Sequence, residues 1–230
     1  MRVGGKRVLV VGATGSVGGL AAGRLAELGA STALAGRDRA RLAGRAADLG
    51  GRPYHSFEAY DLGACEALAP WAAEVLGGLD AVVVALGVAG FGAARDMPEA
   101  AAEHLLAVNA LAPMAIVRGA LRVLPPGGGV SVVTGTIVDR PVSGAADYAA
   151  AKSALAAWLG VAARESRRAG LSVLDVRLPH LDNGFAGRAV VGTPPPLPEG
   201  ADAAGAVESH LVAPLLERLG SGAAAEGART

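Results

Sequence analysis

Two residues four positions apart, Tyr148 and Lys152, are suited to acid-base chemistry. Residues with this spacing lie on one face of a helix, so the phenol and the ammonium can point at the same place. A cation beside a tyrosine favours the phenolate, which lowers the pKa of the phenol and lets it exchange a proton near neutral pH. The alternative is a surface lysine above a half-buried tyrosine, and the rest of the sequence must decide between them.

A glycine-rich turn near the start of the chain predicts a nucleotide site. The apolar run Arg7–Val11 reads as a strand buried on both faces, and a helical pattern follows the turn until Gly29. Glycines let the turn fold tightly and let the backbone approach a pyrophosphate, which the helix N-terminus stabilises. The alternative is a turn that needs glycine only for a positive φ. The residues expected at the phosphates are Gly12, Thr14, Gly15, Ser16, Val17 and Gly18.

The end of the second apolar run, Ser31 to Ala35, bears on the choice of cofactor. An acidic side chain at this place would hold the ribose hydroxyls of NAD, but the sequence has Gly36 followed by Arg37. A guanidinium suits a 2′-phosphate, so NADP(H) is favoured over NAD(H). In the competing interpretation, Arg37 and Arg39 are solvated charges near a helix that Asp38 caps, and Asp38 itself reaches a ribose.

The middle of the chain supplies further candidates at the ends of predicted strands. A third strand is expected near 54–58, followed by Asp61 and Leu62 and a helix over 65–76. Asp61 is expected near the adenine, the alternative being a helix cap. The fourth strand ends in Ala85, Leu86 and Gly87, and the helix predicted over 97–123 contains Asn109, a poor helix-interior residue that indicates a local break or else an exposed polar position.

The alternation of strands and helices predicts an α/β fold. No repeat or linker divides residues 1–230, so we expect one domain with a doubly wound parallel sheet of about six or seven strands, helices on both faces and a ligand at the carboxyl ends of the strands.

The composition narrows the class of partner. The chain has 21 basic and 21 acidic residues, which leaves no electrostatic footprint for nucleic acid or an anionic membrane. Its single cysteine, Cys65, cannot form an internal disulfide or a metal-ligand cluster, and no apolar run reaches membrane-spanning length without interruption. We therefore expect a cytoplasmic protein that acts on a small molecule without a metal.

Taken together and in this order, these motifs resemble the short-chain dehydrogenase/reductase family over about residues 7–184. The resemblance implies a Rossmann-like domain that binds NAD or NADP and interconverts carbonyls and alcohols. Tyr148 would be the general acid, Lys152 would bind the nicotinamide ribose and lower the tyrosine pKa, and Asn109 would hold a helix kink and a relay water. Leu62, Ala85, Leu86, Gly87 and Pro179 would join the cofactor site, and a homodimer or homotetramer would be expected.

The sequence also departs from the family pattern. Gly135 occupies the position of the catalytic serine, so either neighbour, Thr134 or Thr136, is a candidate for its role, the alternative being that both make ordinary strand-end bonds. Loss of one such donor costs about two to three orders of magnitude in rate. The family usually has the sequence Asn-Asn-Ala-Gly after the fourth strand. This chain has Val84-Ala85-Leu86-Gly87 at that place, so only Gly87 matches the family pattern.

The C-terminal part is expected to shape the substrate site. Residues 173–178 predict a sixth strand, and residues 201–219 predict a last helix before a frayed end. The resemblance implies that residues 184–199, which have few charges, form a mobile lid over the substrate. A seventh strand is not visible, and the alanine-rich helices of Asn109 and Tyr148 remain a candidate dimer interface.

Three functions follow from these features. The first is NADP(H)-dependent hydride transfer on a carbonyl or alcohol of a small, mostly neutral substrate. The second is a non-redox enzyme of the same fold, such as a cyclase, isomerase or dehydratase, motivated by Gly135. The third is a catalytically silent protein that senses NADP(H).

Overall fold

Six parallel strands form the centre of the molecule, whose computed structural model describes residues 4–227. They are hydrogen-bonded in the order β3-β2-β1-β4-β5-β6. Their bounds are β1 Arg7–Val11, β2 Ser31–Gly36, β3 Tyr54–Ser56, β4 Ala81–Val84, β5 Gly129–Val133 and β6 Ser172–Val176.

Helices cover both faces of the sheet. The α-helical segments are α1 Ser16–Glu27, α2 Arg39–Asp48, α3 Leu62–Leu76, α4 Glu99–Leu106, α5 Ala112–Val123, α6 Ala146–Ser166, α7 Ala203–Val207 and α8 Ala213–Gly227. Helices α3, α5 and α6 pack on one face, while α1, α2, α7 and α8 pack on the other. The predicted α/β architecture, a doubly wound parallel sheet with helices on both faces, is confirmed.

Burial explains why the central strands are continuous apolar runs. Every residue of β4 is fully buried, as are Val8 to Val11 of β1, because helices cover both sides of these strands. The chain turns to β2 and β3 on one side of β1 and to β4, β5 and β6 on the other. A crevice therefore opens at the carboxyl ends of β1 and β4, where ligands bind in such sheets.

The helix that contains Asn109 is locally broken, as its sequence predicted. A π-helical turn, Ala107–Leu111, separates α4 from α5. Within residues 4–227 the whole segment Glu99–Val123 is the one helix with the length and apolar content of a membrane span, but more than half of its apolar window is buried in the protein. Its packing against α3 and α6 accounts for that composition.

Several predicted boundaries were wrong. Strand β3 ends at Ser56 rather than Glu58, and β6 covers Ser172–Val176. The last helix continues beyond Leu219 to Gly227, interrupted by a second π-helical turn, Glu208–Val212. No seventh strand occurs among residues 4–227, which leaves β6 at the edge of the sheet.

Candidate active site

The glycine-rich turn connects β1 to α1 in a conformation that only glycines allow. Gly12 has φ +84°, and a Cβ atom there would lie 2.5 Å from the carbonyl oxygen of Ala85. A Cβ at Gly18 would lie 2.2 Å from the carbonyl oxygen of Gly12, so α1 packs directly against the turn. The Gly15 amide closes the turn by donating to the Gly12 carbonyl oxygen at 2.9 Å.

The N-terminus of α1 is open for an anion. The helix begins at Ser16 after Gly15, no side chain caps it and its first turn, which includes Val17, contains no acidic residue. The first backbone N–H groups of a helix lack intrahelical acceptors, and the helix dipole favours negative charge there. This uncapped terminus beside a side-chain-free turn fits the pyrophosphate of a dinucleotide.

The end of β2 holds two predicted residues. Gly36 faces the turn, since a Cβ there would be 3.4 Å from Thr14 Oγ1. Arg37 is exposed, and no carboxylate pairs with it among the described residues. Asp38 caps α2 by accepting from the Arg41 amide at 3.0 Å, as the competing interpretation of this segment held.

Asp61 and Leu62 lie at the start of α3. Asp61 accepts from the Ala64 amide at 2.9 Å and so caps α3, as the alternative interpretation predicted. Leu62 is exposed. Contact of either residue with an adenine stays a prediction.

The π-helical turn places the Asn109 amide against the segment that follows β4. Its Oδ1 accepts from the Val88 amide and its Nδ2 donates to the Val88 carbonyl oxygen, both at 3.0 Å. Asn109 is fully buried and both ends of its amide are satisfied. Asn109 thus holds the backbone of Val88, directly after the segment Val84 to Gly87 that lacks the family's usual asparagines.

Lys152 lies in the same corner and is 3 % exposed. Its Nζ donates to the carbonyl oxygens of Val133, at 3.1 Å, and Leu86, at 3.4 Å. A Cβ at Gly87 would lie 2.9 Å from Asn109 Oδ1 and 3.1 Å from Lys152 Nζ, so glycine is required where these side chains meet. Burial lowers the pKa of Lys152 to about 8, an effect that the negative charge of Asp175 opposes.

The expectation that Lys152 lowers the pKa of Tyr148 was wrong for this state of the protein. Both hydrogen bonds of the ammonium within residues 4–227 go to backbone carbonyls rather than to the phenol. Burial instead raises the pKa of Tyr148 to about 12. The phenol is therefore protonated at neutral pH, which is the form that a proton donor needs.

The two candidate threonines have different surroundings. Thr134 is buried and its hydroxyl donates to the carboxylate of Asp175, as in the alternative of an ordinary strand-end bond, so its role as a substitute for the missing serine stays a prediction. Thr136 is only partly buried, and its hydroxyl has no hydrogen-bond partner among the described residues. Gly135 between them has φ +92°, which strains any L side chain and explains why a serine does not fit this backbone.

The segment after Pro179 is attached to the site at several points. The Asn183 side chain accepts from the Phe185 amide at 3.0 Å, and Val190 and Val191 hydrogen-bond with the backbone of Ala89 and Phe91. The Phe185 ring lies 6.3 Å from that of Tyr148. Phe185 also belongs to an apolar cluster, whose members are Ala89, Phe91, Ile137, Ala145, Phe185, Ala186 and Ala189.

The structure thus gathers most of the predicted residues at one edge of the sheet, and adds some that the sequence analysis missed. Asp175 holds both Thr134 and Arg177, the latter at 2.7 Å, and this charged pair two residues apart at the end of β6 was a usable signal. Phe185 carried no such signal, because its contact with Tyr148 depends on the course of the 184–199 segment.

Comparison with known proteins gives the same family. Residues 6–187 match the model of the short chain dehydrogenase family. A Burkholderia cenocepacia short chain dehydrogenase, crystallised in complex with NADP, is 26% identical with a TM-score of 0.80 over 93% of this chain and 91% of its own. A Thermus thermophilus short-chain oxidoreductase is 31% identical, with a TM-score of 0.75 over 90% and 95% of the two chains.

A curated relative matches a smaller part. The cyclic-di-GMP-binding biofilm dispersal mediator protein of Escherichia coli is 35% identical over 98 residues, which are 42% of this chain and 41% of that protein. The match to the family model covers most of the chain. The chain belongs to the short-chain dehydrogenase family.

Proposed function

We propose that the protein is an NADP(H)-dependent oxidoreductase that interconverts a carbonyl and an alcohol on a small, mostly neutral substrate. The observation that carries this proposal is the corner where the buried Asn109 and Lys152 meet Gly87, one turn of α6 away from a protonated Tyr148. A sensor of the cofactor has no need for this arrangement, since it serves to hold and move a proton.

Each side chain has a defined task in the proposed reaction. The bound nicotinamide supplies or takes up the hydride. Tyr148 donates a proton to the substrate oxygen during reduction, and Lys152, one helical turn away, returns a proton to it. The Thr136 hydroxyl, which has no other partner among the described residues, hydrogen-bonds to the substrate oxygen.

Preference for NADP(H) over NAD(H) is part of the proposal. It is supported by Gly36, which supplies no carboxylate for the ribose hydroxyls, and by the exposed, unpaired guanidinium of Arg37. The match to a relative crystallised with NADP agrees with this preference.

The substrate class is supported by the apolar cluster that meets Tyr148 through Phe185. Alanine, isoleucine and phenylalanine side chains form it, including Phe91 and Phe185, and none carries a charge. A substrate with a charged group near the carbonyl would lose hydration there without gaining a partner.

The direct test follows NADPH absorbance with matched pairs of ketones, for example 4′-methylacetophenone and 4-acetylbenzoate. We expect oxidation with the neutral member and little with the carboxylate. Calorimetric titration with NADPH and NADH completes the test. Cofactor binding without oxidation across a broad panel of ketones and aldehydes would contradict the reductase.

A cofactor-sensing or dinucleotide-sensing protein is the second candidate. Gly135 favours it, because the carbonyl-polarising hydroxyl is absent from its usual place and the backbone there has φ +92°. The relative that binds cyclic-di-GMP supports including that ligand. Calorimetry with cyclic-di-GMP, alone and in competition with NADPH, separates this candidate from the first when combined with the turnover assay.

We also propose a homodimer formed by the helices that carry Asn109 and Tyr148. Leu106, Leu111 and Val161 are each more than 40% exposed on these helices, which is unusual for large apolar side chains. A second copy of the same face would bury them. Sedimentation of wild type and Leu111→Glu tests this assembly, and a monomeric wild type would contradict it.

A further inference from the structure

Asp175 lies on β6, against which helix α6 packs. Residues two apart in a strand share a face of the sheet, and Val173 packs in the same apolar cluster as Leu155 of α6. Val132, the strand partner of Asp175 on β5, belongs to that cluster as well. The Asp175 carboxylate is therefore on the side of the sheet from which α6 brings Lys152 into the site.

Lys152 and Asp175 are connected through two consecutive residues at the end of β5. The Lys152 ammonium donates to the carbonyl oxygen of Val133 at 3.1 Å. The hydroxyl of the next residue, Thr134, donates to Asp175 Oδ1. The other carboxylate oxygen, Oδ2, accepts from Arg177 Nε at 2.9 Å and from Arg177 Nη2 at 2.7 Å. The carboxylate is thus held at both oxygens beside the buried corner.

The charges around this carboxylate leave one negative charge to balance Lys152. Arg177 also donates to Asp139 through Nη1 at 2.6 Å, so two carboxylates share one guanidinium. A buried ammonium needs such a charge nearby, because the two carbonyl oxygens that it contacts do not replace its full hydration.

The other segments that meet Lys152 supply no charge. Strand β5 with the turn that follows it to Val138, the segment 85–89 after β4 and the π turn Ala107–Leu111 contain no ionisable side chain. The carboxylate that faces Lys152 within residues 4–227 therefore comes from β6.

Ionisable groups on the helices that pack against α6 are directed elsewhere. His104 of α4 hydrogen-bonds to Tyr60 at 2.6 Å. Asp147 on α6 itself is turned about 140° around the helix from Lys152. The remaining charged side chains of α4 and α5 are exposed: Glu99, Glu103, Arg118 and Arg122.

We propose that Asp175 is a positioning residue for the reaction: its carboxylate keeps the Lys152 ammonium charged inside the protein, so that Lys152 can return a proton to Tyr148. This inference rests on the proposed oxidoreductase function. Burial lowers the pKa of Lys152 to about 8 and the negative charge of Asp175 opposes that shift, which agrees with the assignment. With an uncharged residue at position 175, Lys152 loses its proton at lower pH, and proton return during reduction stops there.

The test reads the charge of Lys152 directly and needs no turnover. Lys6 and Lys152 are the two lysines of the chain, so isotope labelling of lysine Cε gives two resonances for NMR titration. Asp175→Asn keeps an oxygen acceptor for the Thr134 hydroxyl but removes the charge. We expect it to lower the pKa of Lys152 by about one unit or more and to leave Lys6 unchanged.

Asp139→Asn is the matched control, because it removes the same charge from the other, more exposed partner of Arg177. We expect it to move the pKa of Lys152 by less than about 0.3 units, since solvent screens that carboxylate. In the NADPH oxidation assay, Asp175→Asn should also shift the alkaline limb of the kcat profile to lower pH by the amount seen in the titration. A merely structural role would lower kcat equally at every pH.

Other results would overturn the assignment. An unchanged Lys152 pKa in Asp175→Asn would refute it whether or not the variant is active, and equal shifts in Asp175→Asn and Asp139→Asn would replace it by a general field effect. A shifted pKa in a protein that reduces no carbonyl would support the link between Asp175 and Lys152 while refuting the proposed oxidoreductase function.

Arg177→Met tests the same link with the opposite sign and serves where Asp175→Asn does not fold. Removing the guanidinium leaves the charge of Asp175 less compensated, so the pKa of Lys152 should rise. A pKa that falls or stays constant in Arg177→Met would contradict the role of Asp175.

Discussion

Two parts of the candidate site differ in how they are held: the buried corner of Lys152 and Asn109, and the exposed surface around Arg37 at the end of β2, which we call the rim. Lys152 and Asn109 are almost without solvent contact, and every polar atom of the asparagine amide is bonded to backbone. Arg37 is exposed, and no side chain holds it in one position. The corner around Lys152 therefore depends on geometry that the core sets, whereas the surface around Arg37 depends on charge that solvent screens.

The largest effect is expected from Tyr148→Phe, which removes only the hydroxyl. We expect kcat to fall by roughly 10³-fold, because the proton donor is lost, with little change in the Kd of NADPH. Stopped-flow or steady-state absorbance measures the rate and calorimetry the binding. Tyr54→Phe in β3 is the matched control, and equal turnover of the two variants would refute the acid role.

The second prediction concerns the pH dependence of stability at Lys152. Its pKa is lowered to about 8 in the folded protein, whereas an unfolded lysine titrates near 10.4. Between these values the unfolded chain binds more protons, so the free energy of unfolding rises with pH. Relative to Lys152→Met, wild type should gain up to roughly 3 kcal/mol from pH 8 to pH 10.5.

Urea unfolding of both proteins at several pH values measures this difference. Replacement of the other lysine, Lys6, by Met controls for loss of a positive charge. A wild-type minus Lys152→Met difference that stays constant over this range would contradict the buried-charge account.

The third prediction separates the two threonines beside Gly135. Thr136→Val should lower kcat/KM by about 10-fold to 100-fold without changing the free energy of unfolding, because its hydroxyl faces no protein partner among the described residues. Thr134→Val should instead lower the free energy of unfolding by about 1–3 kcal/mol, because Asp175 loses a donor. The two variants control for each other, and the reverse pattern would assign the catalytic role to Thr134.

The smallest effect is expected at the rim. Raising the salt concentration from about 0.05 to about 0.5 M should weaken NADPH binding several-fold more than NADH binding, because only NADPH carries a 2′-phosphate toward exposed guanidinium groups. Calorimetric titration of both cofactors measures the ratio. A ratio that does not change with salt would mean that the phosphate is held in a buried site rather than at this rim.

Much of the fold could be predicted from particular patterns. The apolar runs of β1 and β4 and the glycine-rich turn predicted their structure because short-range sterics and burial on both faces dictate those residue types. Asn109 predicted a helix break for a similar reason. The ends of β3 and α8 were not predictable, since tertiary packing determines where a weak strand stops and how far a helix continues.

The sequence by itself determined the residue types of the site and the order in which the strands present them. Only the tertiary structure decided their states. It lowered the pKa of the buried Lys152 and raised the pKa of the half-buried Tyr148, because both groups lose solvation of their charged form. It bound the Thr134 hydroxyl to Asp175 because β5 and β6 are neighbours, and it brought Phe185 over Tyr148 and Arg41 to Thr14. Such contacts join residues far apart in the chain, and local spacing carries no record of them.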